Sequence, residues 1–163
     1  MDWTLIEKVI WFGIAAMGFS VLFNVPARTL PSIFLIGAMG GMTRLLLLQL
    51  GTNFIIASFL GAIVIGVLSI PFAHGKHAPP LVFSIPAVIP MVPGLFAYRM
   101  MLGLIRLSGD VPPEAFTQTL YETVSNGLKV MFVLMSLAGG VAVPMLVTRK
   151  QSAKHLRFGK RGH

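Results

Sequence analysis

The apolar residues of this 163-residue chain form long stretches that are separated by short turns rich in proline and glycine. A helix needs about 20 apolar residues to cross the hydrocarbon core of a bilayer. Four stretches meet that length, at residues 3–23, 31–50, 54–72 and 128–147. Because proline and glycine end helices, each stretch is predicted to be a separate helix. The pattern therefore predicts an all-α integral membrane protein with a single transmembrane domain over residues 1–148.

A fifth apolar stretch, residues 81–108, is interrupted in its first half by Pro86, Pro90, Pro93 and Gly94. Three missing amide donors break an ordinary helix. In hydrocarbon, an interrupted backbone is tolerated only where protein surrounds it or a water-filled cavity touches it. The sequence therefore predicts about five transmembrane helices, the fourth of them broken, with a second half-helix beginning at Gly94. This segment either forms part of a solute path or is a proline-kinked helix that only packs.

The charges are few and unevenly placed. Charged residues make up 11% of the chain, and the mean hydropathy is +0.83, which fits a membrane protein. Of thirteen basic residues, six lie in the last fifteen positions, and they are Arg149, Lys150, Lys154, Arg157, Lys160 and Arg161. A basic segment beside an apolar helix is typical of a cytoplasmic tail that contacts the head groups of the lipid bilayer, and this argues against nucleic-acid binding. The tail at 149–163 then places the N-terminus outside in a five-crossing topology, which the positive-inside rule prefers to four crossings with a re-entrant segment.

Small residues recur at four-residue spacing in the second and third helices. Gly37 and Gly41 share a face of one helix, and Gly61 and Gly66 each follow an alanine four residues earlier in the other. Such spacing lets membrane helices pack closely. We expect these four glycines at helix contacts, although the spacing identifies no partner.

Arg44 is the most informative single charge, since it lies about 20 Å along the second helix. An arginine at the centre of a membrane helix costs about 2.5 to 3.5 kcal/mol. Its guanidinium either binds a carboxylate of a substrate or partner, or extends to the outer interface. Arg99 and Arg106 share a helix face that either lines an external vestibule or contacts head groups. Asn24 either presents its amide to a substrate or forms a turn.

No metal site, cofactor site or enzyme active site is predicted. The chain contains no cysteine, and His74 and His77 have no third ligand at a suitable spacing. Nucleotide-binding and hydrolase motifs are absent from the sequence, and no acid–base pair lies within an apolar stretch. A proton-coupled carrier usually needs a titratable group in its path, so here that group would come from a partner.

Three short motifs, FNVPAR at 23–28, the glycine-rich run from Gly37 to Arg44, and AVIPMVPG at 87–94, resemble the threonine/serine exporter family, and more narrowly its small YjjB-like membrane subunit. The resemblance implies a bacterial cytoplasmic (inner) membrane protein that works with a larger YjjP-like membrane subunit. It implies export of a small carboxylate substrate, which is succinate for the two-part form and threonine or serine for the fused form. The residues that match its pattern are Asn24, Pro26, Arg28, Arg44, Pro90, Pro93 and Gly94, whereas Arg99 and Lys129 have no counterpart in it.

Two hypotheses from different classes follow. In the first, the chain is half of an exporter, and its substrate path includes Arg44, Asn24, Pro90, Pro93, Gly94 and Arg99. In the second, it is a structural subunit that assembles a membrane complex and has no path of its own. An odd number of crossings leaves the unit asymmetric, and many transporters pair two such units. A second half is therefore expected, either from another chain or from self-assembly as a homo-oligomer.

Overall fold

The computed structural model describes residues 3–109 and 112–148. Its longer helices are α1 (Trp3–Leu22), α2 (Leu30–Gln49), α3 (Phe54–Lys76), α4 (Pro80–Val88), α5 (Gly94–Leu107) and α6 (Pro113–Thr148). Two short 3-10 turns, Ala27–Thr29 and Ile89–Met91, lead into α2 and out of α4. The basic tail predicted at 149–163 lies outside the described residues.

The described residues contain no strand, so the all-α prediction is confirmed for them. By length and composition α1, α2 with its leading turn, α3 and α6 can each cross a membrane. The pair formed by Pro80–Met91 and Gly94–Leu107 is a further candidate span, bent by 58° at its break. The protein is thus a multi-pass membrane protein with a broken fourth segment.

The observed boundaries follow most of the breakers, but Pro71, Pro86 and Pro144 lie inside α3, α4 and α6. α3 was predicted to end at about Phe72, but it continues through Pro71 to Lys76. A single proline removes one amide donor, and neighbouring helices in a membrane bundle tolerate that loss. The helix instead ends at His77, which takes the left-handed conformation at φ 51°.

α4 packs into the bundle with one face. It packs against α1, α2 and α3, and Phe83 and Ala87 on it are fully buried. Met91, at the end of the turn that follows, is also fully buried. One face of the first half of the broken span is therefore buried against protein, as an interrupted backbone in hydrocarbon requires, whereas Leu81 and Ile85 on its other face are exposed.

The glycines at four-residue spacing lie where helices approach closely. A Cβ on Gly61 would lie 2.9 Å from the carbonyl oxygen of Gly40, and one on Gly66 would lie 3.0 Å from that of Val141. On α2, a Cβ on Gly37 would lie 2.7 Å from the Cβ of Ala16, and one on Gly41 would overlap the Phe12 ring. These four positions have no room for a side chain unless the helices move apart.

The longest helix, α6, runs parallel to α3. Gly139 and Gly140 lie against Phe59, while Pro144, further along α6, lies against Gly66, further along α3. Lys129 is eleven residues before Gly140, which is about 16 Å along a helix. α6 therefore begins well beyond the N-terminal end of α3, at the end of the bundle opposite the loop between α3 and α4.

α5 packs alongside the first half of α6 in the antiparallel direction. A Cβ on Gly127 would lie 3.0 Å from Sδ of Met100, and Gly103 lies against Thr123. α5 makes its extensive contacts with α6 and few with the other helices. We call α5 together with residues 113–128 the hairpin. It extends from the end of the bundle that carries the α2–α3 turn.

Candidate functional site

Arg44 lies beside the break in the fourth span. It is on the last third of α2 and only 7% exposed. One of its terminal guanidinium nitrogens donates a hydrogen bond of 2.6 Å to the carbonyl oxygen of Met91. The centre of the guanidinium also lies 4.4 Å from the centroid of the Phe54 ring, at the start of α3. The head group is therefore held inside the bundle, and does not extend along α2 to the outer interface.

The break in the fourth span explains why Arg44 binds the carbonyl oxygen of Met91. In a continuous helix the carbonyl of Met91 would accept a hydrogen bond from the amide of Leu95, four residues later. Here Val92 is extended, Pro93 has no amide hydrogen, and α5 begins only at Gly94. An unpaired buried carbonyl costs about 1–3 kcal/mol, and Arg44 supplies the missing donor.

The guanidinium retains donors beyond the one that this contact uses. It has five N–H groups in a planar fork, and the structure records one hydrogen bond from them. Stacking on Phe54 offsets part of the cost of burial, since a cation over an aromatic face gains about 0.5–2 kcal/mol. Arg44 can therefore hold the break in shape and still present N–H groups to an anion.

The three predicted residues of the break lie together next to Arg44. Pro90 is within the Ile89–Met91 turn, Pro93 is buried, and Gly94 is the exposed first residue of α5. A Cβ on Gly94 would meet no other atom within 4 Å. The amide of Gly94 itself donates to the carbonyl oxygen of Val92, but the N-terminus of α5, with its positive dipole end, is open to whatever lies beside the break.

Asn24 lies apart from this group. It takes a left-handed conformation at φ 54° two residues after the end of α1, and its backbone amide donates a hydrogen bond to the carbonyl oxygen of Val21. From Leu30, where α2 begins, Arg44 is about 21 Å further along the helix. Asn24 thus forms the turn at the opposite end of α2 from Arg44.

Arg99 is one turn and a half into α5, where it lines a groove along the hairpin. The groove has a volume of about 530 Å³ and lies between α5 and α6. Its basic residues are Arg99, Arg106 and Lys129, and Glu122 is its acid. Most of its other side chains are polar, and they include Thr119, Thr123, Ser125 and Asn126.

Two aromatic rings connect this groove to the break. The rings of Phe54 and Phe96 meet edge to face, with centroids 5.5 Å apart. Lys129 Nζ lies 5.3 Å from the centroid of Phe96, and Arg44 stacks on Phe54. We call Arg44, Phe54, Phe96 and Lys129 the aromatic ladder. The sequence gives no signal for it, because its members come from four helices far apart along the chain.

A larger groove, about 780 Å³, lies between α4 and the second half of α6. It is lined mainly by aliphatic side chains, among them Leu81, Ile85, Leu137 and Met145, and none of its lining residues is an arginine, lysine, aspartate or glutamate. Charged solutes lose their hydration without compensation on such a surface. This groove is therefore a place for acyl chains or apolar helices and not for a carboxylate.

Within residues 3–109 and 112–148, no group of three histidine, aspartate or glutamate side chains comes together as a metal site.

Comparison with known proteins agrees with the membrane architecture. Residues 8–147 match a family described as "Threonine/Serine exporter, ThrE". A protein of Haemophilus influenzae, described as uncharacterized, is 32% identical over 148 residues, which are 90% of this chain and 48% of that protein. The chain thus spans about half the length of this relative. No solved structure matches this chain. The chain belongs to the threonine/serine exporter family of membrane transporters.

Proposed function

We propose that this chain is one membrane subunit of a secondary exporter of small carboxylate metabolites, and that a second membrane subunit completes the path. The observation that carries the proposal is the break in the fourth span, where Arg44 takes the place of a missing amide beside an open helix N-terminus. A buried arginine and a free helix N-terminus both favour negative charge. The exporter family of the chain supports the direction of transport.

In this proposal each predicted residue of the break has a physical role. Pro90 and Pro93 remove amides and keep the span open, and Gly94 leaves space at the start of α5. Arg44 contacts the carboxylate with the N–H groups that do not bind Met91. The substrate is a dicarboxylate such as succinate, or an amino acid such as threonine or serine.

The second subunit is proposed from the length of the Haemophilus influenzae relative. The matched residues make up 48% of the Haemophilus influenzae protein, so that protein carries a further stretch of comparable length. A larger YjjP-like chain would supply the same part separately. The tail is placed in the cytoplasm and the N-terminus outside the bacterial inner membrane, because this arrangement follows the positive-inside rule.

Efflux measurements on cells test the path. Arg44→Lys keeps the charge and a donor for Met91, but it loses the planar fork that binds a carboxylate through two hydrogen bonds. We expect efflux of the substrate to fall at least about tenfold at normal protein level, since hydrogen bonds to charged groups contribute about 1.5–3 kcal/mol. Gly94→Leu should also reduce efflux, because the side chain fills the space beside the break.

Gly18→Leu is the matched control, since a Cβ at Gly18 on α1 also meets nothing within 4 Å. It should leave efflux unchanged. Normal efflux with both Arg44→Lys and Gly94→Leu would reject the path. The structural-subunit alternative gives a different result, in which the variants lower the yield of the complex but leave transport per complex unaltered.

A further inference from the structure

The groove on the hairpin combines features that a purely structural contact between two helices does not need. Helix pairs in membranes usually meet through small and apolar residues. α5 and α6 do so at Gly103 and Gly127, yet one edge of their contact carries Arg99, Arg106 and Lys129. These three cations and one carboxylate give the described lining a formal charge of +2.

The remaining surface of the hairpin is largely apolar. Tyr98, Met101 and Ile105 are each more than half exposed on the side of α5 that faces away from α6. Val124 and Leu128 are exposed on α6. Apolar residues over most of the surface indicate contact with lipid or protein, and charged groups in such surroundings must face water or a ligand. The groove is therefore a polar strip on an otherwise apolar element.

The charges of the groove do not cancel each other within the described part of the chain. Glu122 accepts a hydrogen bond from the amide nitrogen of Gln118, one turn earlier on α6. Among the described residues, no carboxylate lies within 4.0 Å of Arg99 or Lys129. The register of the hairpin places Glu122 between the levels of Arg99 and Arg106 on the facing helix, since Gly103 lies against Thr123. The carboxylate of Glu122 thus lies at a level between Arg99 and Arg106.

We propose that this groove is a second binding site for the carboxylate of a small solute, at the mouth of the broken span. Arg99 and Arg106 bind the carboxylate, and Thr119 and Asn126 offer polar partners along the wall. Glu122 attracts an ammonium group and repels a second carboxylate, so the site prefers an amino acid to a dicarboxylate. This inference rests on the proposed function, because it names the outer end of the same path.

The position of the groove supports its place after Arg44 along the path. It begins about one turn after Gly94, where the break opens, and Lys129 belongs to both the groove and the aromatic ladder. The rings of Phe54 and Phe96 therefore link Arg44 at the break to Lys129 in the groove.

Equilibrium binding tests the site without requiring transport. The full chain is reconstituted with its partner subunit in nanodiscs of phosphatidylcholine, and binding of radiolabelled threonine and succinate is measured. Arg99→Gln with Arg106→Gln should weaken binding of both solutes about tenfold or more, as expected for the loss of charged hydrogen bonds. Lys76→Gln, which removes a positive charge at the far end of α3, is the control and should change neither affinity.

Glu122→Gln tests whether the groove prefers an amino acid to a dicarboxylate. It should weaken binding of threonine and strengthen binding of succinate, because the neutral amide neither attracts an ammonium nor repels a carboxylate. Unchanged binding in the double arginine variant would overturn the site. Equal effects of Glu122→Gln on the two solutes would overturn the preference for amino acids.

A third measurement distinguishes binding of a soluble carboxylate from binding of a lipid phosphate, which has similar chemistry. Replacing half of the lipid by phosphatidylglycerol should leave binding of threonine unchanged, whereas loss of binding would assign the groove to head groups and reject the proposal.

The binding test of the groove can fail separately from the efflux test of the proposed path. If Gly94→Leu stops efflux but leaves binding in the groove intact, both proposals hold, and if Gly94→Leu stops efflux while the double arginine variant binds both solutes normally, only the groove fails.

Discussion

At the scale of single residues, a buried arginine is a cost that must be offset by its surroundings. Arg44 meets that requirement with a carbonyl from the break and a ring from α3. Neither partner is acidic, so its charge is not neutralised by a carboxylate within the described residues. A cation held this way retains its attraction for an anion, which a structural ion pair would remove.

Gly61 on α3 lies next to Arg44, where α2 and α3 approach each other closely. A Cβ there would lie 2.5 Å from Cε of Met91 and 2.9 Å from the carbonyl oxygen of Gly40. The methionine end can move, but the backbone oxygen cannot. We expect Gly61→Ala to destabilise the protein by about 1–3 kcal/mol, as overpacking does, and thermal unfolding in detergent measures this as a lower midpoint.

Gly18→Ala is the matched control for this substitution, because it adds the same methyl group where nothing lies within 4 Å. It should leave the midpoint unchanged or raise it, since alanine favours a helix by about 1 kcal/mol over glycine. Equal midpoints for Gly61→Ala and the unsubstituted chain would show that α2 and α3 do not pack as described.

At the scale of helices, the broken span divides into two halves with different surroundings. α4 buries one face against α1, α2 and α3, whereas α5 packs along α6 and leaves most of its surface exposed. Proline and glycine at the break allow the change of direction by 58°. The second half-helix therefore belongs with α6 in one hairpin, and the aromatic ladder is its attachment to the bundle.

The absence of cysteine from the sequence makes the hairpin easy to test by cross-linking. Met100→Cys with Gly127→Cys should form a disulfide under mild oxidation, because Cγ of Met100, whose place the cysteine Sγ would take, lies 3.5 Å from a Cβ on Gly127. Intact mass spectrometry or a shift on a non-reducing gel detects the bond.

Met101→Cys with Gly127→Cys is the control pair. Met101 is 57% exposed on the outer side of α5, so its thiol points away from α6 and should remain reduced. A disulfide in the control pair and none in the first pair would mean that α5 is rotated relative to the described arrangement.

At the scale of the whole molecule, the parallel direction of α3 and α6 bears on the number of crossings. The loop between α5 and α6 lies at the end of the bundle opposite the loop between α3 and α4, because α5 continues beyond the start of α3. A re-entrant fourth segment would instead return both loops to the same end. The structure thus favours five crossings, as the distribution of positive charge does.

Single cysteines labelled with a membrane-impermeant maleimide test this topology. Thr117→Cys on α6 should be labelled in intact cells, and Lys76→Cys at the end of α3 only after the membrane is permeabilised; both residues are exposed. Labelling of both positions from the same side would reject five crossings. A Ser20→Cys variant is the negative control, since Ser20 is fully buried and should remain unlabelled in either condition.

The sequence by itself determined the helices, the membrane class and the site of the break. Uninterrupted apolar stretches exclude a soluble fold, and Pro90 and Pro93 with Gly94 leave no continuous helix to form, so local chemistry decides these features. Pro86 was also expected to interrupt the span, but it lies inside α4. The sequence also identified Arg44 as a charge in need of a partner, although two interpretations of that partner remained open. The end of α3 was misplaced because the apolar stretch stops at Phe72, whereas the helix continues through His74 and Gly75 to Lys76.

Only the tertiary structure decided what Arg44 contacts and how the hairpin is built. The carbonyl of Met91 is 47 residues away along the chain, and the four residues of the aromatic ladder lie on four helices. The direction of α6 relative to α3 follows from the close approach of Gly66 and Gly140 to backbone atoms of the facing helix. Contacts of this kind depend on how all the helices fit together, and no periodicity within one segment encodes them.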